Sequence, residues 1–376
     1  MREGRATDDA LPVSALFAKS KNRTGGDLHE GSLTRAFFVA PAPLMPTWSV
    51  DPQAPDPQLL ARAADLLRRG GLVAFPTETV YGLGGNALDA EAVRRIFAAK
   101  GRPSYNPLIA HVADAETARR LVLAWPESAA RLAAVFWPGP LTLVLPKRPE
   151  VPDEVTAGLA SVAVRVPAHP VAQALLRAAE LPVAAPSANR FTRISPTTAQ
   201  HVEKALADRV DLILDGGPTQ VGIESTVLDL TGERPRLLRP GSISAAELQR
   251  VAGEIDLAAP HGSGTAPRPS PGMLELHYAP RAELRIFLPE ERERAADLAR
   301  RATAENRTVG ALLLAPLAAP VQHPLRMPAE PAVYAQRLYA ALHELDDRGC
   351  ELILAEQVPD APEWAGVRDR LRRASR

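Results

Sequence analysis

The sequence predicts an α/β protein with two domains: a large sheet covered by helices, followed by a smaller βαβαβ unit of Rossmann-like type. Three observations lead to this prediction. Short apolar segments alternate with amphipathic helical patterns from residue 56 onward. A segment rich in Gly, Pro and Ser at 258–280 interrupts the alternation, and a second, shorter alternation follows it. The length of 376 residues suits two or three such domains.

The first domain begins with a helix and a strand. Leu59, Ala63 and Leu67 recur at helical spacing, and Gly70 ends this helix before an apolar strand at 72–75. The same patterns predict further strands at 108–112, 141–145, 162–166, 183–185, 212–214 and 226–229. They predict further helices at 90–100, 115–123, 170–179 and 198–207.

The second domain repeats the alternation on a smaller scale. Its predicted strands are at 284–287, 309–314 and 352–354, and its predicted helices are at 290–304 and 333–345. The resulting boundaries are a disordered leader or mis-assigned start at 1–50, a first domain at 51–257, a linker at 258–280 and a second domain at 281–376. Translation from Met45 is the alternative to a leader.

Charge and cysteine content exclude several classes of protein. Lys plus Arg and Asp plus Glu number 44 each, so net charge does not suggest a protein that binds mainly nucleic acid or an anionic membrane. The single cysteine, Cys350, forms no intramolecular disulfide and no Cys-rich metal site, and it suits a reducing compartment. No stretch approaches 18 uninterrupted apolar residues. We therefore expect a soluble, cytoplasmic protein.

Common active-site motifs are missing. The chain has no G-x-x-x-x-G-K-[ST] loop, no H-E-x-x-H pair and no G-x-S-x-G elbow. Segment 82–87 fits the loose G-x-G-x-x-[GA] pattern, but no acidic residue follows at the distance that a dinucleotide site requires. The simpler interpretation is a tight turn after the first strand. No metal ligands are predicted.

Polar and basic side chains follow the predicted strands at the points where open α/β sheets bind their ligands. The first strand leads into Thr77-Glu78-Thr79, and the helix at 90–100 ends in Lys100-Gly101-Arg102. Two cations one residue apart on a glycine-containing loop suit an oligophosphate. The alternative is a solvated helix C-terminus, which also favours cations.

Other charged and polar residues interrupt later apolar segments. Arg165 lies among valines, and it should meet a carboxylate of this chain or of a ligand because an unpaired buried guanidinium is costly. His111 follows another strand, although a histidine in such a place is also common in a core. The Ser187–Asn189 segment, Ser225 and Arg239 add further polar groups. Together these residues predict a pocket for a small amino-acid-like anion beside a nucleotide.

Several motifs in order make the chain resemble the threonylcarbamoyl-AMP synthases of the longer, two-domain type. They are Pro76-Thr77-Glu78-Thr79-Val80-Tyr81-Gly82-Leu83, Lys100-x-Arg102 with Ser187-x-Asn189, Phe136-Trp137-Pro138-Gly139-Pro140-Leu141-Thr142, Arg165-Val166-Pro167, and Ser270-Pro271-Gly272-Met273 with His277-Tyr278-Ala279-Pro280. The resemblance extends from about residue 56 to the C-terminus. It implies a YrdC-like catalytic domain, built on a twisted, open mixed sheet covered by helices.

The resemblance also implies an activity. The family condenses L-threonine, bicarbonate or CO2 and ATP to threonylcarbamoyl-AMP and pyrophosphate, and a separate threonylcarbamoyl-transferase complex then modifies tRNA. By resemblance, Lys100 and Arg102 stabilise the transition state. Threonine would contact Thr79, His111, Arg165, the backbone of Ala185, and Ser225. ATP would contact Arg102, Asn106, Ser161, Ser187, Asn189, Ser195, Arg239 and Tyr278, with Mg²⁺ held mainly through the phosphates.

Alternatives remain for the linker, the C-terminus and the function. The linker is predicted to close over the pocket as a lid with Tyr278 against the nucleotide, but a passive tether is the alternative. The arginine-rich C-terminus, with Arg368, Arg370, Arg372, Arg373 and Arg376, is predicted to be a solvated helix face. The alternative function is a non-catalytic module for double-stranded RNA or tRNA. A carbamoyl-transfer module of the hydrogenase-maturation type is disfavoured, because one cysteine cannot build its zinc motifs.

Overall fold

The chain folds into two α/β domains, and the computed structural model describes residues 46–257 and 277–375. Residues 1–45, most of the predicted leader, and 258–276, most of the predicted linker, lie outside the described residues. The first domain contains β1 (Thr47–Ser49), α1 (Pro57–Arg68), β2 (Val73–Pro76), β3 (Tyr81–Asn86), α2 (Ala90–Lys100), β4 (Ile109–His111), α3 (Ala115–Arg119), α4 (Glu127–Phe136), β5 (Leu141–Pro146), α5 (Asp153–Thr156), β6 (Ser161–Arg165), α6 (Pro170–Ala179), β7 (Val183–Ala184), α7 (Ala199–Leu206), β8 (Leu212–Asp215), β9 (Thr226–Asp229), β10 (Arg236–Arg239), α8 (Ala245–Ala252) and β11 (Asp256–Leu257).

The second domain contains β12 (Glu283–Phe287), α9 (Arg292–Ala304), β13 (Val309–Leu313), β14 (His323–Arg326), α10 (Pro331–Asp347), β15 (Leu352–Glu356) and α11 (Ala365–Ala374). Within the described residues its four strands are all parallel, in the order β12-β15-β13-β14. The sequence predicted three of these strands but not β14, whose only buried residue is Leu325 and which contains Pro324. A strand with one buried residue at the edge of a sheet has too little apolar pattern to be recognised.

The large sheet mixes parallel and antiparallel strands. Its order in the described residues is β1-β8-β2-β3-β7-β4-β6-β5-β9-β10-β11, with β3 and β7 antiparallel to both of their neighbours, β2 parallel to β8 and β4 parallel to β6. Alternate residues of β2 pack into different clusters: Ala74 lies with α2 and α4, whereas Phe75 lies with α1 and α6. Helices therefore cover both faces of the sheet. This architecture confirms the predicted fold class.

Two predictions for the first domain were wrong in detail. Thr47–Ser49 fall within the predicted leader, yet they form β1, which pairs in parallel with β8. Segment 82–87 was interpreted as a tight turn, yet Tyr81–Asn86 form β3 in the middle of the sheet. A Cβ at Gly84 would lie 2.7 Å from Cγ1 of Val183 and 2.8 Å from Cε1 of Phe75. Glycine is therefore required there for close packing rather than for a turn.

The two domains share a hydrophobic core. Val80 and Ile223 of the first domain cluster with Leu338, Tyr339 and Leu371 of the second. The segments that contribute from the first domain are loops next to strand ends, so the second domain packs directly on the loops that were predicted to bind ligands. None of the helices in the described part of the chain is long and apolar enough to cross a membrane.

Candidate active site

The predicted site residues converge on a cavity of about 50 Å³ at the ends of the central strands. Nine of the fourteen predicted residues line this cavity: Thr79, Arg102, His111, Arg165, Ala185, Ser187, Ser225, Arg239 and Tyr278. They reach it from six strand ends or adjoining loops and from the segment that follows residue 276. Residues that are far apart in sequence meet here because the sheet brings their strands side by side.

Arg165 forms one wall of the cavity and is held on three sides. Its guanidinium lies 2.7 Å from Oε1 of Glu78, donates to Oγ1 of Thr79 at 3.0 Å, and donates through Nε to the carbonyl of Gly139 at 3.2 Å. Both partners of the ion pair are buried. The carboxylate that the sequence required for Arg165 is therefore supplied by Glu78. Hydrogen bonds occupy Nε and one terminal nitrogen of Arg165, whereas the other terminal nitrogen is ion-paired with Glu78 but has no hydrogen-bond partner among the described residues.

His111 lines the cavity next to Arg165, with which it pairs across β4 and β6. Burial and the positive charge of Arg165 lower the pKa of His111 to about 3. The ring is therefore uncharged at neutral pH. Its Nδ1 atom is buried and has no hydrogen-bond partner among the described residues.

Ser225 and Arg239 line the cavity as a hydrogen-bonded pair. Arg239 donates through Nε to the carbonyl of Ser225 at 3.0 Å and through a terminal nitrogen to Oγ of Ser225 at 3.1 Å. Oγ of Ser225 also lies 2.8 Å from Oγ1 of Thr142 on β5. Nearby, the amide of Ala185 donates to the carbonyl of Ile109 at 3.0 Å, so a ligand contact at Ala185 would use its carbonyl oxygen.

Arg102 adds a third guanidinium to the cavity. Gly101 adopts a left-handed conformation with φ 62° at the end of α2, which turns the chain so that Arg102 points inward. Arg102 donates to the carbonyls of Asn106 at 3.1 Å and Pro107 at 2.9 Å, and no carboxylate pairs with it in the described part of the chain. Burial and the positive charge of Arg239 lower its pKa to about 9. Such a cation is suited to an anionic ligand.

Lys100 lies behind the cavity rather than in its lining. Its ammonium group donates to the carbonyls of Ser187 and Asn189 and holds this loop in place. Burial, and then the charge of Arg102, lower the pKa of Lys100. The Ser187 hydroxyl donates to Oδ1 of Asn189, whose amide group donates to the carbonyls of Arg190 and Arg193. The Lys100-x-Arg102 and Ser187-x-Asn189 motifs thus form one connected unit.

Three other predicted ATP-binding residues lie outside the cavity lining. Asn106 is buried, and both polar atoms of its side chain have no partner among the described residues. Ser195 donates to Oε1 of Glu224 at 2.6 Å instead of facing the cavity. Ser161 begins β6, and at a rise of roughly 3.3 Å per residue it lies about 13 Å from Arg165 at the other end. The structure therefore does not bring Ser161 to the cavity.

His277 and Tyr278 cover the cavity. Tyr278 is buried, adopts a left-handed φ of 64°, and lies with its ring 5.4 Å from the guanidinium carbon of Arg370. A non-glycine residue in this conformation is uncommon and often marks a functional site. The amide of His277 donates to the carbonyl of Arg373, and the amide of Ala279 donates to the carbonyl of Thr192. Both domains therefore hold the described end of the predicted lid.

The prediction of a solvated C-terminal helix face was wrong for most of its arginines. Arg370 is fully buried and pairs with Glu224 at 2.7 Å, and Arg373 pairs with Asp369 at 2.9 Å. Only Arg372 is largely exposed, with 63% of its side chain accessible, and Arg376 lies outside the described residues. Sequence reasoning also gave no role to Glu224. Its position directly before Ser225, a predicted site residue, was the available signal.

This fold and this cavity define a two-domain α/β protein with a cationic site for an anionic ligand. Residues 65–241 match the family profile described as "Telomere recombination", and residues 243–376 match the one described as "Threonylcarbamoyl-AMP synthase, C-terminal domain". The chain is 45% identical to the threonylcarbamoyl-AMP synthase of Pyrococcus abyssi, over 83% of this chain and 93% of that protein. It is 44% identical to that of Bacillus subtilis, over 85% and 93%.

A crystal structure of P. abyssi Sua5 complexed with L-threonine superimposes with a TM-score of 0.82. The sequence identity is 43%, and the match covers 88% of this chain and 97% of that one. The chain belongs to the threonylcarbamoyl-AMP synthase family. The resemblance seen in the sequence motifs is thereby confirmed.

Proposed function

We propose that the chain condenses L-threonine, bicarbonate or CO2 and ATP to L-threonylcarbamoyl-AMP and pyrophosphate, the activity of its family. The observation that carries this proposal is a single cavity with the buried Arg165 on one wall and Arg102 and Arg239 on others. One guanidinium suits the carboxylate of an amino acid, and the other two suit phosphate groups. The product supplies a threonylcarbamoyl-transferase complex that modifies tRNA, and we place the enzyme in the cytoplasm, where the buried Cys350 remains reduced.

The chemistry needs no nucleophile from the protein. The amine of threonine and CO2 form a carbamate, whose oxygen attacks the α-phosphorus of ATP as pyrophosphate leaves. The protein therefore contributes orientation and positive charge where negative charge builds up on the phosphoryl oxygens. In this scheme Arg165 and Thr79 orient threonine, and the uncharged His111 does not repel its amino group. Arg102 stabilises the transition state directly, whereas Lys100 acts by holding the Ser187–Asn189 loop.

Magnesium enters this scheme as part of the nucleotide substrate. Among the described residues, no group of three or more His, Cys, Asp or Glu side chains could hold a metal ion. Glu224 is the only acidic residue in the described lining of the cavity, and Arg370 pairs with it. We therefore infer that Mg²⁺ is held mainly by phosphate oxygens and water, which it retains readily.

The segment at 277–280 acts as the inner end of a lid in this proposal. The cavity of about 50 Å³ is far smaller than the roughly 300–1,000 Å³ of sites that hold larger ligands. His277 and Tyr278 must therefore move outward before a nucleotide can enter. Their return would exclude water from the mixed anhydride of the product, which water hydrolyses.

Replacing Tyr278 with alanine should lower product formation about tenfold and raise the fraction of consumed ATP that ends as AMP, because water hydrolyses threonylcarbamoyl-AMP to AMP, threonine and bicarbonate. The reason is that the ring is the part of the lid that excludes water. Product and AMP are measured by chromatography after equal consumption of ATP. Tyr278→Phe is the matched control, because it keeps the ring, and it should behave as the wild type does. An alanine variant with wild-type rate and wild-type AMP would show that the segment is a passive tether.

Pyrophosphate release tests the function itself. Purified protein is incubated with ATP and Mg²⁺, and threonine and bicarbonate are each left out in turn. Release that requires both substrates is the expected result, with threonylcarbamoyl-AMP identified by mass spectrometry. A folded protein that binds tRNA but releases no pyrophosphate under any of these conditions would instead support the RNA-binding alternative. That alternative leaves the buried Arg165–Glu78 pair at the cavity without a purpose.

A further inference from the structure

A buried ionic cluster connects the last helix of the chain to the cavity. It consists of Glu224 from the first domain and Asp369, Arg370 and Arg373 from α11. Arg370 is the largest of the fully buried side chains in the described residues. Burying a charge does not by itself stabilise a fold. The buried guanidinium of Arg370, which lies where the second domain meets the loops of the active site, therefore suggests a role besides stabilising the second domain.

Arg370 reaches both loops that form the Ser225–Arg239 side of the cavity. Its Nε donates to Oε2 of Glu224 at 2.7 Å, and a terminal nitrogen donates to the carbonyl of Glu224 at 3.1 Å. Its other terminal nitrogen donates to the carbonyl of Pro240 at 2.8 Å and to Asp369 at 2.9 Å. Glu224 directly precedes Ser225, and Pro240 directly follows Arg239. One planar guanidinium therefore fixes the backbone next to each member of the pair.

Glu224 is saturated by groups from both domains. Its carboxylate accepts hydrogen bonds from Ser195 at 2.6 Å, from Tyr339 of α10 at 3.0 Å, and from Arg370. Burial raises the pKa of Glu224, but the charges of Arg370 and Arg239 outweigh burial, so the pKa is lowered and the carboxylate stays ionised. Without Arg370, this negative charge would face the side of the cavity that suits phosphate.

Two glycines let the second domain approach these loops closely. A Cβ at Gly222 would lie 2.4 Å from Cα of Gln336 on α10, and a Cβ at Gly366 on α11 would lie 2.6 Å from the carbonyl oxygen of Gly241. Backbone therefore packs against backbone on both sides of the Arg370 guanidinium. At such distances the loops cannot shift unless α10 and α11 shift with them.

We propose that Arg370 is a positioning residue for the nucleotide side of the active site, by which the second domain fixes Arg239 and neutralises Glu224. The Arg165 side, where threonine is proposed to bind, has its own supports, because Arg165 is held by Glu78 and Thr79. Loss of Arg370 should therefore raise the KM for ATP more than the KM for threonine. This inference rests on the proposed function only in taking ATP as the ligand of the Arg102–Arg239 side.

The test compares Arg370→Lys and Arg370→Met with Arg372→Met, a control on the exposed face of the same helix. Lysine keeps a positive charge beside Glu224 but cannot bridge Glu224 and Pro240 as a planar guanidinium does. At a temperature where circular dichroism shows the folded state, Arg370→Lys should raise the KM for ATP at least tenfold and the KM for threonine less than threefold. Arg372→Met should stay within twofold of the wild type. If Arg370→Met does not fold, the KM values of the Arg370→Lys variant alone test the proposal.

Calorimetric titration with ATP, without threonine or bicarbonate, gives a second readout that does not depend on turnover. Arg370→Lys should bind ATP at least tenfold more weakly than the wild type does. A folded lysine variant with an ATP affinity and a KM for ATP within twofold of the wild type would overturn the inference and leave Arg370 with a purely structural role. A wild-type protein that binds ATP but forms no product would count against the proposed function. The role of Arg370 would still be tested in that case, because the titration compares ATP affinities without turnover.

Discussion

Arg102→Ala should lower pyrophosphate release by about 10³-fold and leave the chain folded, in the range seen when a positioned cationic donor to a transferring phosphoryl group is removed. The structure gives the reason. Arg102 is buried at the cavity, its hydrogen bonds go to the carbonyls of Asn106 and Pro107, and no carboxylate in the described residues neutralises it. An anionic ligand is the partner that such a guanidinium suits best, so its removal acts mainly on the reaction.

The measurement is steady-state pyrophosphate release at saturating ATP, threonine and bicarbonate, with urea unfolding as a check on the fold. Arg94→Ala is the matched control, because Arg94 is an exposed arginine on α2, the helix that ends just before Arg102. That variant should stay within twofold of the wild type. Arg102→Lys keeps the charge but loses the planar fork, and it should fall between the two. Wild-type turnover in folded Arg102→Ala would remove Arg102 from the mechanism.

Neutralising the buried pair with Glu78→Gln and Arg165→Met should lower kcat/KM for threonine by about 10²-fold or more, because it removes the guanidinium proposed to bind the threonine carboxylate. Both substitutions are needed together. Arg165→Met alone would leave a buried carboxylate without its counter-charge, which costs about 3–5 kcal/mol of folding free energy. The double variant removes both charges and should therefore remain folded.

Threonine dependence of pyrophosphate release at saturating ATP is the measurement, and calorimetric binding of ATP is the companion measurement. ATP affinity should stay within about threefold, since Arg102 and Arg239, the arginines proposed to bind phosphate, are other residues of the cavity lining. Glu91→Gln with Arg94→Met is the matched control, because it neutralises an exposed ion pair on α2 without touching the cavity. An unchanged response to threonine in the folded double variant would assign threonine to another part of the cavity.

Helices whose ends are marked by residues close by in the sequence were predicted with the correct bounds. The bounds of α2 and α6 match the predicted 90–100 and 170–179, since Asp89 caps the first helix and Pro170 starts the second. The convergence of loops at the strand ends also followed from the sequence, because parallel strands in an open sheet place their carboxyl ends at one edge. Nine of the fourteen predicted site residues line the cavity for this reason.

Features that depend on contacts with residues far away in the sequence could not be predicted in this way. The glycines of β3 looked like a turn, and only the approach of Val183 and Phe75 shows why they belong to a central strand. Lys100 looked like a direct ligand of phosphate, whereas its ammonium group is used to hold the Ser187–Asn189 loop. In both cases the same residue types suit two structures, and the choice depends on what packs against them.

The α/β class, the order of the two domains and the motifs of the site could be predicted without a structure, because periodicity and motif order are properties of neighbours along the chain. The residue that pairs with each buried charge could not be predicted from the sequence. Arg165 meets Glu78, and Arg370 meets Glu224 across 146 positions of sequence. Whether a guanidinium faces water, a ligand or a carboxylate of its own chain depends on which distant segments exclude water around it, and only the packing of the two domains decides that.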